Sequence, residues 1–498
     1  MQKRLSVLFF LILFIFTALS VHLLFLSQNT VYPALNAAST QKSIALYQTR
    51  GIIYDRYYTP LNQSFELCSL SLVENEIVEQ DSGLGDVVYP KPIRTNETAP
   101  HIIGYLSDGI GVSGIEAAYD SFLRSESKTA KAMIQTLGNG DILPTAPISL
   151  LLPESPTHGV ALTWDAALQN ALHDAMRSVK KGAAVCIDAD TGEVLAICST
   201  PTYASPAAVL NDPDTPLFNR ALGAYPVGSV IKPFIAAAAL EAGYSPNMGV
   251  NCTGSITVGN VTFRCHERSG HGSLNLYGAL KESCNPYFIR LTQSYPADIF
   301  TDTVAHFGFG DSIRLASGIE SAAGSFANRP SGAALANFSF GQGEWTATPL
   351  QVAAAYAAIA NGGIYRTPTL VRGTTTDGMH LNPLPSAIPQ TVLQKSTADT
   401  LQDALYKAVA ESDSALAKTE AAVICGKTGT AQTGRYQNGS EQLIGWFAGW
   451  FIWEQTGQTV AFAVMAEDAV SGNASAAPVI RNLVERITKS PISFEMGP

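Results

Sequence analysis

The N-terminus contains the feature that most limits how this chain can fold. It reads MQKRLSVLFFLILFIFTALSVHLLFLSQ, and the stretch from Leu5 to Leu26 carries no charge unless His22 is protonated. Such a stretch can cross a bilayer as a helix, whereas a cleavable signal peptide has a shorter apolar region and a small-x-small site. We therefore predict an uncleaved signal anchor over residues 1–27, in a protein that spans the cell membrane once. Because Lys3 and Arg4 precede the span, the positive-inside tendency predicts that everything after the anchor is extracytoplasmic.

The rest of the chain divides into two predicted domains. Residues 28–155 contain short alternating segments, many turn signals and a proline-marked end, LPTAPISLLLPESPTHG, which predicts a β-rich N-terminal pedestal domain. Residues 156–498 form the second domain, which opens with Leu168, Leu172 and Val179 at helical spacing. The net charge of -10, from 31 Lys and Arg against 41 Asp and Glu, argues against nucleic acid as a partner because it repels phosphate backbones.

Helices and strands occur in blocks along the second domain. The segment AAVCIDADTGEVLAICS reads as a hairpin, and an Ala-rich helical block follows from Ser229 to about Ala410. Three strands come next, AAVICGKTGTAQT, LIGWFAGWFIW and TVAFAVMAEDA, and SAAPVIRNLVERIT reads as a closing helix. This order predicts an α/β sandwich in which helices flank one antiparallel sheet, with a helical subdomain in the middle.

The stretch YPVGSVIKPF places Ser229 three residues before Lys232. Pro233 lacks an amide hydrogen and its ring crowds the carbonyl four residues back, so a regular helix can hardly begin far before Ser229. Residues three apart share a helix face, and the free amide hydrogens at a helix N-terminus can bind an oxyanion. The pair thus has the geometry of an activated serine. Because Ser-x-x-Lys occurs four times in the chain, an N-cap serine with a solvated lysine stays an alternative for this stretch alone.

Two further motifs follow in the chain. Ser283-Cys-Asn285 matches a Ser-x-Asn pattern that is common in this sequence, whereas Lys427-Thr-Gly429 occurs once, on a segment that reads as a strand. On that strand Thr428 and Thr430 point to the same face, and Gly429 lets a substrate backbone approach closely.

The sequence resembles the penicillin-recognising serine D,D-transpeptidases, because three motifs occur in that family's order: Ser229-Val-Ile-Lys232, Ser283-Cys-Asn285 and Lys427-Thr-Gly429. Further fragments narrow the resemblance to class B penicillin-binding proteins, among them RGIIYDRYYTPL, GVSGIEAAYDSFL, NRALGAYPVGS and AAPVIRNLV. The resemblance implies a β-lactamase/transpeptidase-like fold. It also implies a peptidoglycan D,D-transpeptidase that cross-links stem peptides through a serine acyl-enzyme and is covalently inhibited by penicillin. The chain departs from the family at Val227-Gly228, where many members have proline-glycine.

The resemblance also implies a role for each motif residue. The expected catalytic residues are a nucleophile, its general base and a proton shuttle, namely Ser229, Lys232 and Ser283. The expected substrate-binding residues hold the substrate's amide and its terminal carboxylate, namely Asn285, Lys427, Thr428, Gly429 and Thr430. The oxyanion hole would use the backbone amides of Ser229 and Thr430. Because an ordinary lysine is protonated at neutral pH, Lys232 needs burial and a nearby cation, which Lys427 could supply.

The seven cysteines leave at least one thiol unpaired. Cys252 and Cys265 bracket TGSITVGNVTFR, which alternates like a small hairpin with Gly259-Asn260 at its tip, so a disulfide across it is plausible. A zinc site that adds His266 and His271 is the alternative, although these residues lack a recurrent ligand spacing. The other cysteines, Cys284 among them, are expected to be small core residues. No metal site and no cofactor are expected.

The expected partners are peptidoglycan stem peptides, β-lactams as inhibitors, and a membrane glycosyltransferase of the shape, elongation, division and sporulation family. The glycosyltransferase is implied by resemblance, because the chain has acyl-transfer motifs but no room for a polymerase domain of its own. Two other functions stay open: a D,D-carboxypeptidase or β-lactamase, in which water takes the acyl group, and a non-catalytic β-lactam sensor.

Overall fold

The computed structural model of the protein describes residues 2–28, 41–61, 64–74, 76–81, 85–93, 99–137, 139–143, 146–412 and 415–489. Its α-helices are α1 Gln2–Gln28, α2 Pro100–Ile103, α3 Gly114–Ala118, α4 Asp120–Leu123, α5 Ala166–Met176, α6 Lys232–Glu241, α7 Leu276–Lys281, α8 Asn285–Gln293, α9 Ala297–His306, α10 Gly332–Phe338, α11 Pro349–Ala360, α12 Lys395–Ala410, α13 Gly472–Ser475 and α14 Ala477–Lys489. Its strands of three or more residues are β1 Gln41–Gln48, β2 Ile52–Tyr54, β3 Ser64–Val73, β4 Glu76–Gln80, β5 Val87–Ile93, β6 Thr129–Gln135, β7 Ser149–Leu151, β8 Gly159–Leu162, β9 Gly182–Asp188, β10 Val194–Thr200, β11 Val250–Cys252, β12 Ser255–Val258, β13 Val261–Arg264, β14 Gly272–Leu274, β15 Arg314–Ala316, β16 Val371–Thr375, β17 Ile424–Gln437, β18 Ser440–Trp453 and β19 Gln458–Ala466.

The chain forms two compact units that are interleaved in sequence. The first unit comprises Met1–Arg50, Ser64–Ile93 and Glu126–Pro156, and the second comprises Gly51–Gln63, Arg94–Ser125 and Thr157–Pro498. Two segments of the predicted pedestal, residues 51–63 and 94–125, therefore belong to the unit that holds the three motifs. The division into three functional segments stays a prediction.

The first unit contains the apolar helix and two small antiparallel sheets. Helix α1 is long and apolar enough to cross a membrane over Val7–Phe25, where its mean hydropathy is 2.7. One sheet has the order β1-β6-β7 and the other has the order β4-β3-β5. Their buried side chains include Cys68, Leu70, Tyr89 and Ala132. The expectation of a β-rich N-terminal domain is thus confirmed.

The second unit is built on a five-stranded antiparallel sheet with the order β10-β9-β19-β18-β17. Successive side chains of a strand point to opposite faces, so each strand contributes to two cores. In β9, Ala184 and Cys186 contact the core under α5 and α14, whereas Val185 and Ile187 contact the core that holds α6 and α11. The predicted sandwich of helices on one antiparallel sheet is therefore confirmed.

Helix α11 is apolar on every side, and its side chains from Pro349 to Ile359 are all buried. A helix of this composition is stable only in the interior of a domain. It packs on β19, β9 and β18, the three central strands of the sheet. Edge strand β17, which carries Lys427-Thr-Gly429, packs instead against the turn that contains Ser229.

Candidate active site

Ser229 lies in a 3-10 turn, Gly228–Ile231, that leads directly into helix α6. The regular helix begins at Lys232, slightly later than the motif suggested, because Pro233 occupies its first turn. The Ser229 side chain is half-buried and caps no helix end. The alternative of an N-cap serine beside a solvated lysine is wrong, since the Lys232 side chain is completely buried.

The Nζ atom of Lys232 is held by the Ser283-Cys-Asn285 loop. It donates hydrogen bonds to the Ser283 carbonyl oxygen at 2.6 Å, to Ser283 Oγ at 3.1 Å and to Asn285 Oδ1 at 2.8 Å. Among the described residues, no hydrogen bond joins Lys232 to Ser229. Although Ser229 and Lys232 belong to the same motif, the Lys232 side chain is held by the second motif, Ser283-Cys-Asn285.

Burial and a second lysine control the charge of Lys232. Its pKa lies well below the usual value of 10.5, first because burial disfavours the charged form and then because the Lys427 cation repels it. Burial also lowers the pKa of Lys427 to about 8, although the Glu282 carboxylate opposes the shift. Lys427 Nζ donates a hydrogen bond to the Thr428 carbonyl oxygen at 3.0 Å. Both conditions that an activated Lys232 requires are present.

The Ser283 loop has a strained backbone. Ser283 has φ of +51°, a left-handed conformation that is uncommon for a residue with a side chain and costs roughly 1 kcal/mol. Helix α8 begins directly after it, with Cys284 at the N-cap position and Asn285 as the first helical residue. The Asn285 amide connects two elements, because Oδ1 accepts from Lys232 and Nδ2 donates to the Arg264 carbonyl oxygen at 3.5 Å.

Two glycines allow the Ser229 turn and strand β17 to approach closely. Gly228 has φ of +60°, and a Cβ there would lie 3.1 Å from backbone atoms of Thr430 and Ala431. A Cβ on Gly429 would lie 3.0 Å from Val230 N and 3.2 Å from Ser229 N. Gly429 was expected to let a substrate backbone approach. The structure gives a second reason for a glycine at this position, because the atoms nearest to an added Cβ belong to Ser229 and Val230 of the protein itself.

The predicted residues surround one cavity of about 390 Å³. Seven of them line it, namely Ser229, Ser283, Asn285, Lys427, Thr428, Gly429 and Thr430. Lys232 reaches this group through its hydrogen bonds to Ser283 and Asn285. Thr428 and Thr430 share the exposed face of β17 as predicted, and Thr430 Oγ1 accepts a hydrogen bond from Gly472 N at 3.1 Å.

The sequence did not indicate several other residues that line this cavity, among them His266, Lys281, Glu282 and Asn473. Lys281 and Glu282 directly precede Ser283, so their positions next to a motif could have indicated them. Asn473 lies in α13, after the sheet, and ends Ser471-Gly-Asn473, one of the other Ser-x-Asn matches in the chain, which nothing in the sequence favoured. His266 was considered only as a metal ligand.

Comparisons with known proteins identify the family of this chain. The family model described as penicillin binding protein transpeptidase domain matches residues 182–485. The chain belongs to this family. The peptidoglycan D,D-transpeptidase MrdA of Haemophilus influenzae is 29% identical over 456 residues, which cover 78% of this chain and 68% of that protein. Both findings identify the chain as a class B penicillin-binding protein.

Solved penicillin-binding proteins share the fold. The D,D-transpeptidase domain of a peptidoglycan glycosyltransferase from Eggerthella lenta superposes with a TM-score of 0.64 at 26% identity, covering 88% of this chain and 98% of that one. Penicillin-binding protein A from M. tuberculosis, in a ceftriaxone acyl-enzyme complex, superposes with a TM-score of 0.68 at 22% identity, covering 89% and 98%. The expected transpeptidase-like fold is thus confirmed.

The structure differs from the sequence prediction at the cysteines. The predicted hairpin is present as β12 and β13, with its turn at Gly259-Asn260. Cys252 lies outside this hairpin, in β11, where it pairs with Gly272 of β14. All seven cysteines are free and buried, so the predicted Cys252–Cys265 disulfide is not formed.

Proposed function

We propose that this penicillin-binding protein is a peptidoglycan D,D-transpeptidase that cross-links stem peptides through an acyl-enzyme on Ser229. The observation that carries the proposal is the buried Lys232 side chain, whose Nζ is held by Ser283 and Asn285 beside the cavity that Ser229 lines. The name and coverage of the Haemophilus influenzae relative support the same reaction.

In the acylation step, neutral Lys232 takes the proton of the Ser229 hydroxyl. Ser229 Oγ attacks the carbonyl carbon of the penultimate residue of a stem peptide that ends in D-Ala-D-Ala. The backbone N–H groups of Ser229 and Thr430 stabilise the oxyanion. When the C–N bond breaks, the amine of the terminal D-alanine receives a proton through Ser283, which lies within hydrogen-bond distance of Lys232 Nζ.

In the second step, an amine of a neighbouring stem peptide attacks the ester. Lys232, which is neutral after donating its proton to the leaving amine, accepts the proton of the attacking amine. The new amide forms, the bond to Ser229 Oγ breaks, and the serine recovers its proton.

The substrate-binding roles follow the exposed face of β17. Thr428 and Thr430 bind the terminal carboxylate, and Lys427, which lines the same cavity, supplies a positive charge for it. Gly429 keeps the strand close to Ser229, and Asn285 holds an amide of the substrate. β-Lactams enter the same cavity as inhibitors and acylate the same serine.

The protein acts at the outer face of the cell membrane. The proposal assigns residues 1–27 to a single-pass anchor, residues 28–155 to the pedestal and residues 156–498 to the transpeptidase domain. The hydropathy of α1 supports the anchor, and the family match over residues 182–485 supports the last assignment.

A glycosyltransferase of the shape, elongation, division and sporulation family is the proposed membrane partner, because a cross-linking enzyme needs new glycan strands. The full-length protein should co-purify with such a polymerase in detergent. A variant whose anchor is replaced by an unrelated span is the control, and equal absence of the polymerase from both samples would count against the partnership.

A labelled penicillin tests the proposed reaction. It should attach covalently to the peptide that contains Ser229, and a Ser229→Ala variant should remain unlabelled. A label found on another residue, or a folded protein without label, would refute the assignment of the nucleophile.

A further inference from the structure

Four side chains of metal-binding types meet next to the active site. Cys252, Cys265, His271 and Cys284 each offer one ligand atom, and these atoms all lie within 4.8 Å of one another. They come from separate parts of the second unit: β11, the residue after β13, the residue before β14, and the N-cap of α8. Four ligands from four segments are typical of a structural metal site, which joins pieces of chain that have little core of their own.

The spacing of these atoms fits tetrahedral zinc. With a Zn–S distance near 2.3 Å and a Zn–N distance near 2.0–2.1 Å, the sulfur and nitrogen of a tetrahedral site lie roughly 3.5 Å apart. In the structure Cys265 Sγ lies 3.5 Å from His271 Nδ1. The three thiols are buried and free, and a set rich in thiolates selects zinc over oxygen-binding cations.

We propose that Cys252, Cys265, His271 and Cys284 bind one Zn²⁺ ion in a closed four-coordinate site, and that this ion holds the Ser283-Cys-Asn285 loop in place. Each coordinated thiol loses a proton to solvent, and His271 binds as the neutral imidazole. No redox step is involved. The proposal departs from the expectation that no metal is bound, and it adds a ligand role to Cys284, which is buried in the core as expected.

The surrounding fold explains why an ion is needed there. Strands β11 to β14 form two separate two-stranded sheets of three or four residues per strand. Isolated two-stranded sheets are marginally stable in water. The hydrophobic cluster next to the β12–β13 hairpin is small, with Val258, Ile289 and Ala336 as its buried members. A zinc ion would connect both small sheets to helix α8.

The position of Cys284 extends the effect to the catalytic residues. Cys284 lies between Ser283 and Asn285, the two residues that hold Lys232 Nζ. Ser283 also has the strained φ of +51°, so its conformation requires support from outside the loop. Backbone hydrogen bonds from Ser283 N to the Leu280 carbonyl oxygen and from Cys284 N to the Ala279 carbonyl oxygen give part of this support. Coordination of Cys284 adds to it, so that the metal site helps to position Lys232.

The cluster differs from the zinc site considered from the sequence. The structure replaces His266 by Cys284, while His266 is exposed and lines the cavity. A disulfide between Cys252 and Cys265 is the competing arrangement. It would use two of the three thiols and leave Cys284 and His271 without a shared function.

Metal analysis of the full-length protein, purified in detergent without chelator, tests the site. We expect about one zinc ion per chain by inductively coupled plasma mass spectrometry. Cys265→Ala should lose most of this zinc, whereas Cys198→Ala, which removes a buried thiol of β10, should keep it. Zinc retained by Cys265→Ala, a Cys252–Cys265 disulfide, or a folded protein without zinc would each overturn the proposal.

Two measurements on the unmodified chain cover the case in which Cys265→Ala does not fold. Replacement of zinc by Co²⁺ should produce the visible absorption of tetrahedral cobalt with thiolate ligands, and its absence would overturn the site. Hydrogen exchange should become faster in the peptide that contains Ser283 when the metal is removed, while exchange in β9 and β19 stays unchanged. Equal exchange with and without metal would overturn the positioning role. None of these results depends on penicillin binding, so they stand apart from the proposed transpeptidase activity.

Discussion

Gly429→Ala changes the distance between strand β17 and the Ser229 turn. The added Cβ would lie 3.0 Å from Val230 N and Val230 Cγ1 and 3.2 Å from Ser229 N, so the two elements must separate by a few tenths of an ångström. Overpacking of this kind typically costs about 1–3 kcal/mol of stability. The larger effect is expected on the reaction, because the proposed oxyanion hole takes one N–H donor from each element.

The magnitude follows from the geometry of such donors. They act best about 2.7–3.1 Å from the developing oxyanion, and loss of one donor costs about 10²–10³-fold in rate. A separation of a few tenths of an ångström weakens one donor without removing it. We therefore expect acylation by a fluorescent penicillin, measured by stopped flow, to slow about 10–100-fold, or about 1.4–2.7 kcal/mol in barrier.

Gly434→Ala is the matched control on the same strand. Gly434 has φ of +67° and no atom within 4 Å of an added Cβ, so its substitution costs conformational energy of roughly 1–2 kcal/mol without a new contact. This variant should acylate at the native rate. If Gly429→Ala remains folded and also acylates at the native rate, the oxyanion hole between Ser229 and Thr430 is refuted. Equal slowing in both variants would show that a loss of protein stability, and not a change in the oxyanion hole, slows acylation.

Two further predictions concern the lysines. Lys232→Ala should slow acylation about 10²–10⁴-fold because it removes the general base. Lys128→Ala, which changes an exposed lysine in another Ser-x-x-Lys sequence, should have no effect. A Lys232→Ala variant that acylates at the native rate would contradict the role of Lys232 as general base. The acylation rate should rise with pH as Lys232 loses its proton, and this rise should occur at a pH below the ordinary lysine pKa of 10.5. The rate should fall above about pH 8 as Lys427 loses its charge. The pH–rate profile of Lys427→Met should lack this alkaline limb, and a variant that keeps the limb would show that another group titrates there.

The chemistry of the motifs could be predicted from the sequence, but their mutual contacts could not. Pro233 restricts where the helix after Ser229 can start, and alternation along β17 places Thr428 and Thr430 on one face, so both features follow from local rules. The hydrogen bonds from Lys232 to Ser283 and Asn285 join residues about fifty positions apart, and they depend on how α6 and α8 pack. Local spacing carries no information about such packing.

The cysteines show the same limit in more detail. Alternation correctly predicted the hairpin of β12 and β13, but Cys252 pairs with β14, which no local pattern indicated. Cys284 was predicted to be a small core residue and is buried in the core, but no local pattern indicated that it lies beside Cys252, Cys265 and His271. The first unit also receives three separate segments of chain, an arrangement that composition along the sequence cannot reveal.

The product of the reaction tests the central claim most directly. The full-length protein should be incubated with glycan strands that carry pentapeptide stems ending in D-Ala-D-Ala, and the products analysed by mass spectrometry. We predict dimeric stem peptides joined by a new amide, one D-alanine released for each cross-link, and an acyl-enzyme on Ser229 that is absent from Ser229→Ala. Release of D-alanine without cross-linked dimers, or dimers still formed by Ser229→Ala, would contradict transpeptidation through this serine.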